Sequence, residues 1–229
     1  MTDEWQAPHT HDAPPAVELP PPPSRVIDLA THPLRGASTA AGPPSRLDNA
    51  KRSFLRRAVE YLSVELGIRH FIDVGSRLPV ADGIHGIVRS HAAGAHVVYV
   101  DTATAAPLYD RSPSQLDGLS VVAGDPAPHA LVDTLIARGH IDLDTPVAVL
   151  MIEPAAVGGA GRTRALAQAL HAATAPGSHV VLAADDTTAD IFTPFTLLAP
   201  GVADMAWWPY PDEEVSATGT GVSVGMARR

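Results

Sequence analysis

Four acidic residues close apolar runs in this chain: Asp73 in HFIDV, Asp101 in HVVYVD, Asp125 in LSVVAGD and Glu153 in PVAVLMIE. A carboxylate offers acceptors only, so one held at the end of a strand can take both hydroxyl protons of a sugar. Asp101 follows Asp73 by 28 residues, a βαβ distance. In nucleoside-binding sheets the acid at the end of the second strand accepts from the ribose hydroxyls. Gly75 lies in the turn after the first strand, where a backbone without Cβ lets ligand atoms approach closely. Ser76 and Arg77 continue that turn. Arg77 stands where a dinucleotide fingerprint wants a second small residue, so G-x-G-x-x-G is absent and a nicotinamide oxidoreductase is disfavoured. Gly124 and Asp125 are placed to meet an adenine amino group. Glu153, at the floor of such a crevice, is a candidate general base, and His85, near the first turn, is a second. Each acid has a plainer alternative as the cap of the following helix, and His85 has one as a packing residue. His9, His11 and His32 show no metal-ligand spacing, and the adjacent acids Asp185 and Asp186 read as capping or solvated, so no metal site is expected.

These residues need strands and helices to position them. Phe54, Leu55, Ala58, Val59, Leu62 and Leu66 recur at three- and four-residue steps. That spacing predicts a helix from near Asp48, stopped by Gly67, with its apolar stripe on one face. Lys51, Arg52, Arg56 and Arg57 fall largely on the other face and read as solvated, with contact to an anionic ligand as the alternative. Strands are expected at His70–Val74, His96–Asp101, from Leu119 to Asp125, from Pro146 to Glu153, and from His179 to Asp186. The second is a continuous apolar run, which implies burial on both faces, as in a parallel sheet. Helical spacing follows from Ile84 to Gly94, from Pro128 to Gly139 (with Leu131, Leu135 and Ile136 apolar) and from Arg162 onward. Alternation of this kind predicts a parallel sheet with right-handed crossovers. Two further strands, Val202–Pro209 and Gly221–Ala227, close the chain. The link from Thr187 to Thr196 holds one or two helical turns at most. Of Trp207 and Trp208, one is expected to pack inward.

Residues 1–46 form a separate, proline-rich and largely irregular segment, and 47–229 form the domain. The runs PPPP and GPP forbid helix and cannot feed a central strand. The formal charge is −9, from 16 Lys and Arg against 25 Asp and Glu. A chain this acidic lacks an electrostatic footprint for nucleic acid or an anionic membrane. Cysteine is absent, which removes disulfides, thiolate catalysis and Cys-ligated zinc. The N-terminus lacks a signal-peptide core, and no apolar run reaches the roughly 18 residues that span a bilayer, so a cytoplasmic location is expected.

The stretches DNAKRSFLRRAVEYLSVELGIRHFIDVGSRLPVADGIH, AHVVYVD and DLDTPVAVL resemble a family of actinobacterial S-adenosylmethionine-dependent methyltransferases, formerly catalogued as a domain of unknown function. The likeness runs from Asp48 to Ala184. It implies a Rossmann-like class I methyltransferase fold: an α/β, mostly parallel seven-stranded sheet flanked by helices, the last strand antiparallel. It implies S-adenosyl-L-methionine as cofactor, with Asp73, Gly75, Ser76 and Arg77 at the methionine turn, Asp101 at the ribose, and Gly124 and Asp125 at the adenine. The implied partner is a small-molecule methyl acceptor, with secondary metabolites as one class, and a homodimer stays open. The chain departs from the family pattern at Arg77, in the segment RVIDLATHPLRGAS, and at Glu153-Pro154. Those departures support an alternative, a non-catalytic methyltransferase-like protein that serves as a binding or partner subunit.

Overall fold

The computed structural model describes residues 45–75, 83–101, 118–123, 127–137, 141–184, 189–209 and 219–229. Ser45 starts the first helix. Its hydroxyl accepts the Asp48 N–H at 3.1 Å, and the Asp48 carboxylate accepts the Ser45 N–H at 3.0 Å. This reciprocal capping box satisfies two donors that a helix start otherwise leaves open. The hydrogen bond from the Ser45 side chain, and then that from its backbone, hold the Asp48 carboxyl below its ordinary range. Helix α1 therefore spans Arg46–Glu60, opening two residues before the expected start near Asp48. Apart from its last two residues, the proline-rich 1–46 segment lies outside the described residues.

Phe54, Leu55, Ala58 and Val59 are buried along α1, as their spacing predicts. The helix then widens into a π turn, Tyr61–Glu65. An added residue per turn rotates the stripe. Ser63 is buried, its hydroxyl donating to the Val59 carbonyl at 2.7 Å, while Leu66 is 39% exposed. The expectation that Leu66 continues the apolar face is thus overturned. Gly67, at φ 67°, ends the helix.

The elements that follow are β1 (His70–Val74), α2 (Ile84–His91), β2 (His96–Asp101), β3 (Leu119–Ala123), α3 (Pro128–Ala137) and β4 (Val147–Met151). Then come α4 (Pro154–Val157), α5 (Ala160–Ala173), β5 (His179–Ala184), a 3-10 turn (Ala189–Phe192), β6 (Thr196–Leu197), β7 (Ala203–Asp204) and β8 (Ser223–Arg228). The sheet order is β3-β2-β1-β4-β5-β8-β6, with β7 also on β8. The first five strands are parallel, and β8 runs antiparallel between β5 and the edge. The expected strand order and directions hold. The edge strand is split, so among the described residues the sheet has eight strands instead of seven. Leu197 pairs with Ala227 and Ala203 with Val224, and the chain between loops out through Pro200 and Gly201. Among the described residues, no helix is long and apolar enough to cross a membrane.

One face of the sheet packs Phe71, Val97, Tyr99, Leu150, Val181 and Met226 against α1 and α2. The other packs Ile72, Val98, Val149, Met151, Val180 and Leu182 against α3 and α5. The alternation follows from strand period two, and burial on both faces explains the continuous apolar runs. In α3 the buried residues are Leu131, Val132 and Leu135, while Ile136 is 57% exposed, contrary to expectation. The stripe continues through Val132 instead.

The strand expected over Val202–Pro209 stops at Asp204 because the Asp204 side chain closes a turn. Its carboxylate accepts the N–H groups of Ala206 (2.8 Å), Thr220 (2.8 Å) and Gly221 (2.9 Å), and the Thr220 hydroxyl at 3.0 Å. The Asp204 carbonyl takes the N–H groups of Trp207 and Trp208. Of that pair, Trp208 is buried at 3% exposure, edge-on to Phe54 with ring centroids 5.5 Å apart. Burial by itself raises the Asp204 carboxyl, but the donors around it outweigh that and hold it below its ordinary value of 3.8. Replacing Asp204 by Ala is expected to lower stability by about 2 kcal/mol, since the bonds lost are to a charged group. A folded-state value below the unfolded one gives stability that is present above the ordinary carboxylate range and lost as pH falls through the lowered value. The gap between wild type and Asp204→Ala, read by urea unfolding, should be full at pH 7 and close below about pH 4.

Candidate active site at the carboxyl edge of the sheet

The parallel ladders bring the strand ends to one level. Asp73 pairs with Tyr99 on β2 and with Leu150 on β4, and Asp101 pairs with Ala123 on β3. The Gly75 N–H continues the β1–β2 ladder, donating to the Val100 carbonyl at 3.0 Å. Gly75 itself is at φ 72°, a left-handed conformation that turns the chain sharply out of the strand and favours glycine. Asp73, Gly75, the backbone of Asp101 and Glu153 therefore share one edge. Ser76, Arg77, Gly124 and Asp125 lie outside the described residues.

Asp73 is fully buried, at 0% exposure. Its cross-strand neighbour Tyr99 is 2% exposed, and the Tyr99 hydroxyl accepts the backbone N–H of His85 at 3.0 Å. Helix α2 has Gly83 at its N-cap, which supplies no side chain to the first-turn donors. The phenol of Tyr99 does this from across the layer. Burial first, and then the Asp73 charge, push that phenol far above its ordinary range, so it stays a neutral hydroxyl. His85, in the first turn of α2, is buried at 4% exposure.

Glu153 follows β4, and its carbonyl accepts the N–H groups of Ala156 and Val157, which starts α4. Its carboxylate forms an ion pair with Lys51 of α1, and both side chains are largely buried, at 20% and 13% exposure. Arg57, farther along α1, donates to the carbonyls of Trp208 (2.7 Å) and Met205 (2.9 Å). The reading of this basic run as a solvated face fails for both residues. Each finds an acceptor on a distant segment that has no local trace in the sequence. Arg52 and Arg56 line a groove against α2. The participation of Lys51, Tyr99 and Arg57 was not legible beforehand. The signal that could have found Lys51 is its position one turn into a helix that must cross the end of β4.

Residues 36–191 match the family described as S-adenosyl methyltransferase, which is more than half of the chain. Among solved structures, a candidate methyltransferase from Thermobifida fusca is 25% identical, with a TM-score of 0.61 over 80% of this chain and 81% of that one. A protein of the DUF574 family from Streptomyces avermitilis is 22% identical, with a TM-score of 0.61 over 79% and 83%. The second likeness is one of fold. No curated protein matches the chain.

Two substitutions test this edge. Tyr99→Phe removes the acceptor of a buried N–H and should cost about 1–3 kcal/mol in chemical unfolding. A double-mutant cycle over Lys51→Met and Glu153→Gln should give a coupling of about 1–2 kcal/mol, and additivity would mean that the pair adds nothing.

Proposed function

We propose, from the premise that this chain belongs to the S-adenosyl methyltransferase family, that it methylates a small-molecule acceptor, with secondary metabolites as the class. The cofactor is S-adenosylmethionine, which supplies an electrophilic methyl group when bound. The observation that carries the reading is the edge itself. A fully buried carboxylate, Asp73, precedes a left-handed glycine, level with the end of an acid-terminated second strand. That donor and acceptor set fits the cofactor. Asp73 and Gly75, with Ser76 and Arg77, hold the methionine part. Asp101 accepts the ribose hydroxyls, and Gly124 and Asp125 meet the adenine.

Methyl transfer from a sulfonium is an in-line displacement, and much of its acceleration comes from alignment and exclusion of water. The chain's contribution is then mainly to orient. Glu153, fixed by Lys51 at the crevice floor, takes the proton of a hydroxyl or amine acceptor. His85 was the second candidate for that role. Its burial in the first turn of α2 favours packing, and we assign it there.

Calorimetric titration with S-adenosylhomocysteine tests the cofactor site. Saturable binding is expected, weakened about 10- to 100-fold in Asp101→Ala by loss of hydrogen bonds to a charged group. No heat up to millimolar ligand removes the reading. A screen of acceptors with methyl-labelled cofactor tests turnover. Glu153→Gln should lower it about 100-fold for a protonated acceptor without changing S-adenosylhomocysteine affinity. Tight cofactor binding with no product across the panel would favour the non-catalytic alternative.

A further inference from the structure

Arg52, Arg56 and Glu60 recur every four residues along α1 and form one wall of a groove of about 550 Å³. Gly83, Gly86, Ile87 and Ser90 of α2 form the other wall, again a single helical stripe. A volume of that size holds a small organic molecule. Both helices start at the carboxyl edge. Lys51 of α1 meets Glu153 there, and α2 follows the end of β1. The end of the groove lined by Arg52 and Gly83 therefore lies toward that edge.

Two of the lining residues on the α2 side, Gly83 and Gly86, are glycines. Gly86 lies inside an eight-residue helix, where glycine costs roughly 0.5–1 kcal/mol relative to alanine. A glycine there adds no side chain to the groove, whose other wall carries two arginines. Among the described residues Arg56 makes no ion pair, not even with Glu60 one turn on. The Ser90 hydroxyl donates to the Ile87 carbonyl at 2.7 Å, so donors to a guest come from Arg56 and the His91 ring, with Arg52 beside them. Glu60 sets like charge against deeper seating of an anion. Guanidinium forks four residues apart suit an oxyanion, which they can bind with paired, charge-assisted hydrogen bonds. On a chain with net charge −9, an anionic ligand needs such a local basic site.

We infer that this groove docks the phosphate or carboxylate of a small molecule, and that this molecule is the methyl acceptor. The acceptor assignment rests on the proposed function; the anion site does not. The test titrates inorganic pyrophosphate, phenyl phosphate and phenol into the full chain, with and without S-adenosylhomocysteine. The first two should bind saturably and phenol should not. Arg52→Gln with Arg56→Gln should weaken pyrophosphate by about tenfold or more and leave S-adenosylhomocysteine affinity within about twofold. Gly86→Leu, which fills the space and favours helix, should do the same with every charge intact. Absent pyrophosphate binding, or binding that both variants retain, overturns the groove whether or not the cofactor binds. Pyrophosphate binding with no S-adenosylhomocysteine binding overturns the acceptor assignment and the cofactor reading together, leaving only an anion site.

Discussion

A carboxylate with no exposed surface sits in the middle of the sheet, and the carboxyl edge is arranged around it. Burying a charge is costly unless neighbouring groups are set to meet it. Asp73 has Tyr99 beside it in register, and the Asp73 charge helps to keep that phenol protonated. A neutral hydroxyl can accept from the backbone of α2, which its own N-cap glycine does not serve. The position of α2 is thereby tied to β2, the neighbour of the strand that carries the acid.

Helix α1 completes the arrangement from the other side. It begins in a capping box, reaches Glu153 through Lys51, and ends its basic run with Arg57 on the carbonyls of the 205–208 turn. One helix thus touches the end of β4 and the turn beyond β7. Asp204 builds that turn from within. The side chains that look most solvated in the sequence are the ones that fasten the layers over the crevice. The two that line the groove, Arg52 and Arg56, give the same helix a surface suited to an anion.

The strands were legible in the sequence because burial on both faces leaves a continuous apolar run. His70–Val74 and His96–Asp101 agree with the reading residue for residue. The starts of α1 and α5 were not, since Ser45 and Gly159 carry no periodic signal. Leu66 and Ile136 were misread because periodicity assumes an unbroken α-helix with a single apolar face. A π turn breaks the first assumption, and Val132 displaces the stripe in the second case. The edge strand was read too long because Asp204, a short polar residue inside an apolar run, bonds its own backbone two residues on. The acids at the strand ends were visible as residues. That Lys51 and Tyr99 attend them was not, because those contacts depend on register and crossover geometry.

The central claim is that the acid-ended strands form one nucleoside-shaped gap above Gly75. Crystallography of the chain with S-adenosylhomocysteine tests it most directly. The account predicts ligand density over the Gly75 turn, with the ribose hydroxyls on the Asp101 carboxylate and the amino-acid end near Asp73. Density for the ligand elsewhere on the protein, or that gap closed by the chain's own side chains, would contradict it.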